Sequence, residues 1–404
     1  MTQSDRKKGA LLVLNSGSSS VKFTVFQVNP DASGDEALSP FFAGQLDGIG
    51  SSAKLKAKAA TKELLADESW EHLDQGTVPA ILPHLLEWIE KNLPADLPLL
   101  AAGHRVVHGG QLFNKPVLLN GEIIEQLSEF IPLAPLHQPQ NLAAIRTLAE
   151  SRPELPQVAC FDTAFHQTMP EVSSTYGIPD ELTQEGIRRY GFHGLSYEFI
   201  AHHMRETFPD VAKGRVVVAH LGSGASLAAL QDGVSVDTSM GFSALDGIPM
   251  GTRPGSMDAG ILIHLMRHHK MSADELEKML YYKCGLLGIS GLSNDMRDIQ
   301  ASEDPKAKLA EEIFCMKAAK TITSLATSMD GIDALVFTAG IGEHSPSIRA
   351  KIASHLKWIG VELDDAKNDA NDLHIEADGS LPVFVIPTDE EFMIASHTLK
   401  LQSA

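Results

Sequence analysis

The chain has 404 residues, of which 43 % are hydrophobic and 21 % charged, and its formal net charge at pH 7 is −19. This length allows a sizeable core and makes two domains the default expectation. A surface this acidic repels nucleic acid and anionic membranes, which excludes both as partners. A site for an anionic ligand must therefore be a local concentration of Arg, Lys and His.

The three cysteines, Cys160, Cys284 and Cys315, lie far apart and lack metal-ligand spacing. Such cysteines are typical of the reducing cytosol, where each packs as a small hydrophobic residue. The apolar stretch near the N-terminus is too short for a signal peptide, and no long apolar run follows it. The sequence therefore predicts a cytoplasmic protein.

Runs of β-branched and aliphatic residues bounded by Gly, Pro or Asp predict strands along the whole chain. The predicted strands are Ala10–Leu14, Val21–Val28, Leu99–Gly103, Gln157–Phe161, Arg215–His220, Ser226–Leu230, Ala334–Thr338 and Val383–Ile386. Between them, Ser272 and Glu275 have capping-box spacing and begin a helix that stops at Gly285, and residues 304–329 form a long amphipathic helix. Strands alternating with helices indicate an α/β protein.

A weak internal echo suggests two related halves. Residues 10–26 and 216–230 each predict an apolar strand, a Gly/Ser turn and a second strand. Residues 334–348 predict a strand, a Gly-rich turn and a helix that begins at Ser345–Pro346. The linker-like composition of residues 150–157 predicts a domain boundary there.

The stretch "LNSGSSSVKFTVF" joins two strands by a turn of small residues, whose backbone N–H groups and hydroxyls form a nest for an anion. Lys22 adds a point charge at the start of the second strand, and Asn15 offers an amide oxygen suited to a hard cation or its water shell. For this stretch alone, a plain Ser/Gly hairpin with a surface lysine is an equally good interpretation.

Two further Gly-rich stretches strengthen the phosphate hypothesis. "HLGSGAS", residues 220–226, allows close backbone approach at its glycines, and "TAGIGEHS", residues 338–345, precedes a helix on which a nucleotide can rest. No P-loop, no G-x-G-x-x-G after a strand and no protein-kinase catalytic loop occurs in the sequence.

Several polar residues stand in unusual settings. Arg105 in "GHRVVHGG" and Arg253 in "MGTRPGSMD" lie in Gly-rich, otherwise uncharged turns, which favours bidentate recognition of carboxylate or phosphate over a purely structural ion pair. Asp162 follows a strand at its carboxyl end, where open α/β sheets bind ligands. Glu390 and Glu391 follow the last strand and suit a divalent metal, although a solvated loop carboxylate is the commoner case.

Together these motifs resemble those of the acetate and propionate kinase family, within the acetate/sugar kinase, Hsp70 and actin superfamily. The resemblance runs from Leu11 to about Ala395, and "VLNSGSSSVKF" and "MGTRPGSMD" are its most specific motifs. "GHRVVHGG", "FDTAFH", "RRYGFHG" and "FTAGIGEHS" follow the family's order.

The resemblance implies an α/β fold of two duplicated actin-like (ribonuclease H-like) domains with an interdomain active-site cleft. We expect an N-terminal domain over residues 1–155, completed by 386–404, and a C-terminal nucleotide-binding and dimerisation domain over 156–385. The implied activity is that of an acetate kinase: reversible, Mg²⁺-dependent transfer of the ATP γ-phosphoryl group to acetate, giving acetyl phosphate and ADP. The implied partners are the carboxylate, ATP and a second copy of the chain in a homodimer.

Carried over residue by residue, the resemblance assigns a role to each matching position. The catalytic residues would be Asp162, His193 and Arg253. The carboxylate and its methyl group would be bound by Arg105, Val107, Leu136 and Phe192. The nucleotide would be bound by Ser18, Ser20, Lys22, His220, Leu221, Gly222, Ser223, Gly224, Asp295, Met296, Arg297, Gly340, Ile341, Gly342, Glu343 and His344. The metal, Mg²⁺ with Mn²⁺ as a substitute, would be held by Asn15 and Glu390.

Phosphoryl transfer depends on positioning and on positive charge around the transferred oxygens, which Arg105, Arg253, His193 and Mg²⁺ would supply. A carboxylate is already an adequate nucleophile. We therefore expect Asp162 to orient an arginine or the metal rather than to act as a base.

The sequence departs from the family at three places. The family usually has Asn at the positions of Ser223 and His344, and "TPL" where this chain has residues 243–245. That proline helps to wall the methyl pocket, so its loss favours a longer acyl chain, whereas Val107 favours acetate. One methylene in an apolar pocket is worth only roughly 1–3 kcal/mol.

Two alternatives remain open on the residues. A propionate or broader short-chain acyl kinase shares every motif. A nucleotide-gated ATPase of the Hsp70/actin type shares the phosphate loops, but it has no use for two arginines suited to an anionic second substrate.

Overall fold

The computed structural model describes residues 7–17, 19–70 and 76–402. They form two compact units: unit 1, Met1–Ala164 with Asp389–Ala404, and unit 2, Phe165–Thr388. The division falls after Ala164 rather than at the expected 155, because the strand Gln157–Phe161 pairs within the sheet of unit 1. Residues 150–157 are therefore a connection inside unit 1.

Thirteen strands are found in the described part of the chain. Those of unit 1 are β1 (Gly9–Ser16), β2 (Ser20–Val28), β3 (Leu38–Asp47), β4 (Lys54–Ala59), β5 (Leu64–Ser69), β6 (Leu99–Val106), β7 (Val117–Leu118) and β8 (Gln157–Phe161). Those of unit 2 are β9 (Arg215–Leu221), β10 (Ala225–Gln231), β11 (Val234–Thr238), β12 (Ala334–Thr338) and β13 (Val383–Val385).

The α-helices surround these strands. They are α1 (Val78–Asn92), α2 (Gly121–Ser128), α3 (Gln138–Ser151), α4 (Glu171–Ser174), α5 (Asp180–Gln184), α6 (Gly194–Thr207), α7 (Pro209–Ala212), α8 (Ala259–His268), α9 (Ala273–Tyr282), α10 (Gly285–Ser290), α11 (Met296–Ala301), α12 (Pro305–Thr327), α13 (Ala339–His344), α14 (Pro346–Ser354), α15 (Asp365–Ala370) and α16 (Glu390–Gln402). No helix of the described residues combines the length and apolar character needed to cross a bilayer.

The two sheets repeat one plan. In unit 1 the strand order is β5-β4-β3-β2-β1-β6-β8-β7, and in unit 2 it is β11-β10-β9-β12-β13. In each, three antiparallel strands (β3-β2-β1 and β11-β10-β9) continue into two that run parallel to the third (β6-β8 and β12-β13). The expected duplication of an α/β unit is confirmed.

The core of each unit forms where apolar strands meet helix faces. In unit 1, Leu12, Leu14 and Phe23 of the sheet pack in one buried cluster with residues of α1 such as Leu85. In unit 2, Val216, Val218 and Val336 pack with residues of α6. The strands β8 and β12, each next to the last strand of its sheet, are buried along their whole length, as the continuous apolar runs indicated.

The last helix, α16, returns to unit 1 and packs unusually close to β6. A Cβ atom at Gly103 would lie 2.3 Å from Thr398 Oγ1 and 2.6 Å from Ile394 Cγ2, so only glycine fits there. This close approach brings the first residue of α16, Glu390, near the end of β6.

All eight predicted strands are present within a few residues of their expected bounds. The capping box at Ser272 is confirmed, with Ser272 and Glu275 each hydrogen-bonded to the other's backbone N–H. One prediction was wrong: residues 339–344 form the helix α13 rather than a Gly-rich turn, while α14 begins at Pro346 as expected.

Candidate active site

Four polar side chains of unit 1 meet at one edge of the sheet. Because β1, β6 and β8 are parallel neighbours, their carboxyl ends bring Asn15, Arg105 and Asp162 together, and α16 adds Glu390. Arg105 donates from Nε to Asp162 Oδ1 at 3.0 Å and from Nη2 to Oδ2 at 2.5 Å. Its Nη1 lies 3.4 Å from Asn15 Oδ1, and its Nε lies 3.9 Å from Glu390 Oε2. We call these four residues the acyl cluster.

Two carboxylates and one guanidinium leave the acyl cluster with an excess of negative charge. The pKa of Glu390 is raised to about 7, chiefly by burial and also by the charges of Asp162 and Glu391, while Arg105 and Lys22 act in the opposite direction. Burial lowers the pKa of Arg105, but the carboxylates of Asp162 and Glu390 outweigh that effect and raise it above its usual value. The cluster can therefore accept another cation.

The donor set of the cluster is all oxygen: the amide of Asn15 and the carboxylates of Asp162 and Glu390. Mg²⁺ in phosphoryl-transfer sites is usually held by one or two carboxylates together with waters and substrate phosphates. In the described residues no group of three or more His, Cys, Asp and Glu side chains converges on a point that could hold a metal ion. The residues present thus fit a sparsely ligated Mg²⁺ rather than a closed protein cage.

Two amide side chains of α3 fix the loop that follows β6. Asn141 accepts from Val107 N at 3.1 Å and donates to Ser16 O at 2.8 Å, which ties the ends of β6 and β1 together. Gln138 accepts from His108 N at 3.3 Å and donates to His108 O at 3.0 Å. Sequence reasoning missed both amides, since nothing local links α3 to these strands.

Three other predicted residues of unit 1 are described by the structure, and two of them lie on β2, next to β1. Lys22 is exposed on β2 and is the cross-strand partner of Asn15. Ser20 begins β2, and its carbonyl accepts from Gly17 N at 2.8 Å, which closes the tight turn. Leu136, from the predicted methyl pocket, is half-buried. Ser18 lies outside the described residues.

Two predicted catalytic residues of unit 2, His193 and Arg253, lie beside the turn between β9 and β10. His193 and His220 stack with ring centroids 4.3 Å apart. The Nδ1 atom of each ring is 2.8 Å from a serine hydroxyl, Ser226 for His193 and Ser196 for His220. These hydrogen bonds fix the orientation of both imidazoles. Phe192, next to His193, is buried in this unit.

Arg253 reaches the same turn from the loop before α8. Its Nη1 donates to Ala244 O at 2.8 Å. A Cβ atom at Gly224 would lie 2.5 Å from Arg253 Nη2 and 3.2 Å from His193 Nε2. Glycine at this position is therefore what allows the guanidinium and the imidazole to lie against the backbone of the turn.

A cavity of about 520 Å³ lies beside this turn, a volume typical of small-molecule sites. Of the residues that the sequence assigned to a nucleotide, the following line it: Gly222, Ser223, Asp295, Met296, Arg297, Gly340, Ile341 and His344. Asn294, Gln300 and Ser345 also line it and were missed by sequence reasoning. We call this space the nucleotide cavity.

The structure places the other assigned residues of unit 2 outside this lining. Leu221 and Gly342 are buried, and Glu343 accepts a hydrogen bond from Thr388 N at 3.2 Å. His220 and Gly224 belong to the histidine and arginine cluster. At the cavity rim, hydrogen bonds from the Arg297 side chain and backbone lower the pKa of Asp295 to about 2.

Comparison with known proteins gives one consistent family. The model of the family described as "Acetokinase family" matches residues 10–396. The acetate kinase of Nitrobacter hamburgensis is 50 % identical over 393 residues, which cover 97 % of this chain and 96 % of that protein. The acetate kinase of Methylocella silvestris is 46 % identical over 394 residues, with 97 % of both chains covered.

Solved structures agree in fold over nearly the whole chain. A propionate kinase from Francisella tularensis superposes with a TM-score of 0.90 at 40 % identity, covering 97 % of this chain and 100 % of that one. The acetate kinase of Porphyromonas gingivalis superposes with a TM-score of 0.86 at 33 % identity, covering 97 % and 99 %.

Proposed function

Since the chain belongs to the acetokinase family, we propose that it catalyses the reversible transfer of the γ-phosphoryl group of ATP to acetate, giving acetyl phosphate and ADP. The observation that carries the proposal is the acyl cluster, in which a partly exposed guanidinium, two carboxylates and an amide oxygen meet at the strand ends of unit 1. The nucleotide cavity of unit 2 supplies the complementary site for ATP.

In this proposal Arg105 binds the substrate carboxylate. Its side chain is 22 % exposed, whereas that of Asp162 is 2 % exposed, so the guanidinium alone can be reached by a small anion. Asp162 holds the guanidinium by two hydrogen bonds and fixes its plane. Because acetate is already ionised at neutral pH, the reaction gives Asp162 no proton to remove, and its role is to orient Arg105.

Mg²⁺ fits the remaining oxygens of Asn15 and Glu390, and when bound with ATP it supplies charge neutralisation at the phosphate oxygens. Lys22, on the strand beside Asn15, adds a further positive charge on the same side. Mn²⁺, which also prefers oxygen ligands, is expected to substitute.

Arg253 and His193 of unit 2 stabilise the transferring phosphoryl group in this proposal. Their nitrogens lie around the Gly224 turn, where a phosphate resting on the backbone would meet both. Fixed donors of this kind act mainly on the transition state, because charge on the equatorial oxygens is redistributed as the group transfers.

A propionate or broader short-chain acyl kinase is the second candidate, favoured by the similarity to a propionate kinase structure. The segment that differs from the family, residues 243–245, includes Ala244, whose carbonyl oxygen holds Arg253. A change in this segment can therefore affect both the room for the acyl chain and the position of the guanidinium.

The test is ADP formation by the purified full chain with Mg·ATP and no carboxylate, acetate, propionate or butyrate, with hydroxylamine present to trap acyl phosphate. Acetate-dependent ADP formation together with acetyl hydroxamate supports the proposal. Higher kcat/KM on propionate would select the second candidate. ADP release that is independent of any carboxylate would contradict both and favour a gated ATPase.

The proposal includes a homodimer formed by unit 2 and a cytoplasmic location, where ATP is available. No residue of α8 is buried, and its exposed side chains include three large apolar ones. Ile261, Ile263 and Met266 are 44 %, 49 % and 48 % exposed. A helix this apolar gains stability when a second copy covers it. Sedimentation of the wild type and of Ile263→Glu tests this: a monomeric wild type would contradict the dimer.

A further inference from the structure

A pair of buried hydroxyl groups lies behind the ring of His193 in unit 2. Ser226 Oγ is 2.8 Å from His193 Nδ1 and 2.6 Å from the hydroxyl oxygen of Tyr197. Ser226 and Tyr197 are both completely buried. The function proposed above gives no role to the hydroxyl of Tyr197 and none to the direction of the hydrogen bonds.

One helix and one strand carry these three residues. His193 directly precedes α6 with a φ of 57°, a left-handed conformation that is uncommon for a residue other than glycine. Tyr197 lies one turn further along, and its N–H donates to the carbonyl of His193 at 3.2 Å. Ser226 belongs to β10. The ring of His193 is thus held from two elements, while its Nε2 atom lies at the Gly224 turn beside Arg253.

The chemistry of the two hydroxyl groups sets the direction of the hydrogen bonds. A phenol is far more acidic than an aliphatic alcohol, so in a contact between the two Tyr197 donates and Ser226 accepts. The hydroxyl hydrogen of Ser226 is then directed to its other partner, His193 Nδ1. A neutral imidazole carries a single N–H, and a ring that accepts at Nδ1 carries this hydrogen on Nε2.

We propose that Tyr197 and Ser226 are positioning residues that place the hydrogen of the neutral His193 ring on Nε2 and aim it at the transferring phosphoryl group. This role rests on the function proposed above, in which that group meets His193 at the Gly224 turn. With the hydrogen on Nδ1 instead, Nε2 would present a lone pair to the phosphoryl oxygens and repel them. A donor that is fixed in advance needs no reorganisation during the transfer.

The neighbouring ring of His220 is supported differently. Its Nδ1 lies 2.8 Å from Ser196 Oγ, which lies 2.8 Å from Thr388 Oγ1. Two aliphatic hydroxyls have similar acidity, so either can donate, and this pair is compatible with both tautomers of His220. The phenol of Tyr197 therefore distinguishes the support of His193 from that of the ring stacked on it.

Steady-state kinetics of the full chain with Mg·ATP and acetate test the proposal. Ser226→Ala keeps the imidazole but not its fixed donor, so it should lower kcat by about 10- to 100-fold, with much smaller changes in both KM values. Tyr197→Phe keeps the ring that stacks on Phe165 and should lower kcat by a smaller factor. Ser235→Ala is the matched control and should keep the kcat of the wild type, since it removes an equally buried hydroxyl 2.8 Å from Nδ1 of another histidine, His166.

Nuclear magnetic resonance of the full chain labelled with ¹⁵N-histidine gives a readout that needs neither turnover nor substrate. At pH 8, where an ordinary histidine is neutral, the signals of His193, identified by their absence from His193→Gln, should show the hydrogen on Nε2. A hydrogen on Nδ1 in the wild type would overturn the proposal, as would equal kcat values for Ser226→Ala and Ser235→Ala. If instead the proposed reaction is wrong, the wild type forms no acyl phosphate with any carboxylate, and the tautomer is still read from the spectrum.

Discussion

Arg105 and Asp162 form a two-point ion pair although 57 residues separate them in the sequence. Both carboxylate oxygens of Asp162 are engaged, and its side chain is almost completely buried, so this acid is committed to the guanidinium. The pair fixes the plane of Arg105 at the edge of the sheet while part of the guanidinium stays accessible. This geometry motivates the proposal that Asp162 orients Arg105, which would bind the substrate carboxylate.

Replacing Arg105 by Lys tests this orientation while it keeps the positive charge. Lysine is a point charge and cannot form the planar two-point contact, so it should bind both Asp162 and the substrate carboxylate less well. We expect the KM for acetate to rise by about 10- to 100-fold, with a smaller change in the KM for ATP. An unchanged KM for acetate would remove Arg105 from substrate binding.

Arg253→Ala should mainly lower kcat. A positive charge that acts on the transferring phosphoryl group is worth about 10³-fold in rate, and the KM values should change much less. Arg205, an exposed arginine on α6, serves as the control for loss of one positive charge. If Arg253→Ala keeps a kcat within a few-fold of the wild type, the proposed role is wrong.

Gly224→Ala should change the position of Arg253, and therefore kcat, without changing the stability of the fold. The added methyl group meets the outer nitrogens of Arg253 and His193, which can move aside, so we expect little change in melting temperature. The displaced guanidinium should nevertheless lower kcat by about 10- to 100-fold. Gly177→Ala is the control outside the proposed site, since its Cβ would have no atom within 4 Å. Equal kcat values in the two variants would contradict the prediction.

The raised pKa of Glu390 predicts how the stability of the folded protein depends on pH. The pKa of this side chain is raised from the ordinary 4.5 to about 7, chiefly by burial, so between these values the folded protein binds more protons at this site than the unfolded chain. Its contribution to stability is therefore fully present below about pH 4.5, declines as the pH rises through this window and is lost above about 7. Glu390→Gln removes this pH dependence and should raise the melting temperature at pH 8, by roughly 2–4 °C, but not at pH 5.

The same group predicts an acid limb in kcat/KM near pH 7, because a protonated Glu390 cannot hold a cation. Glu150→Gln removes the same charge at an exposed position of α3 and is the control for both measurements. If the melting temperature of Glu390→Gln equals that of the wild type at every pH, the pKa of Glu390 is not raised in the folded protein.

The strands that the sequence predicted correctly are apolar along most of their length, as in β1, β8 and β12. Five strands of the described residues were missed, and three of them, β3, β4 and β5, form the outer part of the sheet of unit 1. In β4, "KLKAKA", lysines alternate with apolar residues, and this period of two was the available signal. Residues 339–344 were misread because Gly340 and Gly342 favour a turn locally, whereas packing against β9 and β12 holds them in a helix.

Some residues of the candidate site could be identified from the sequence, and others could not. Residue types in unusual local settings, such as Arg105 and Arg253 among glycines, could be selected from the sequence. The partners that position them could not, because Asn141 and Asp162 reach the end of β6 only through the pairing of strands and helices distant in sequence. Hydrogen-bond partners of this kind follow from topology and leave no local pattern.

The close packing of α16 at Gly103 has a consequence for biosynthesis. A ribosome makes β1, β6 and β8 first, then all of unit 2, and only then the segment that begins at Asp389. Unit 2 is contiguous and can fold as a whole while the chain is still growing, in the usual order of domain folding. Until then one face of β6 in unit 1 stays uncovered. Glu390 reaches the other members of the acyl cluster only after α16 has left the ribosome. We therefore expect unit 2, which contains the nucleotide cavity, to fold before unit 1, which contains the acyl cluster. Truncation within α16 should leave β6 of unit 1 without the helix that covers it.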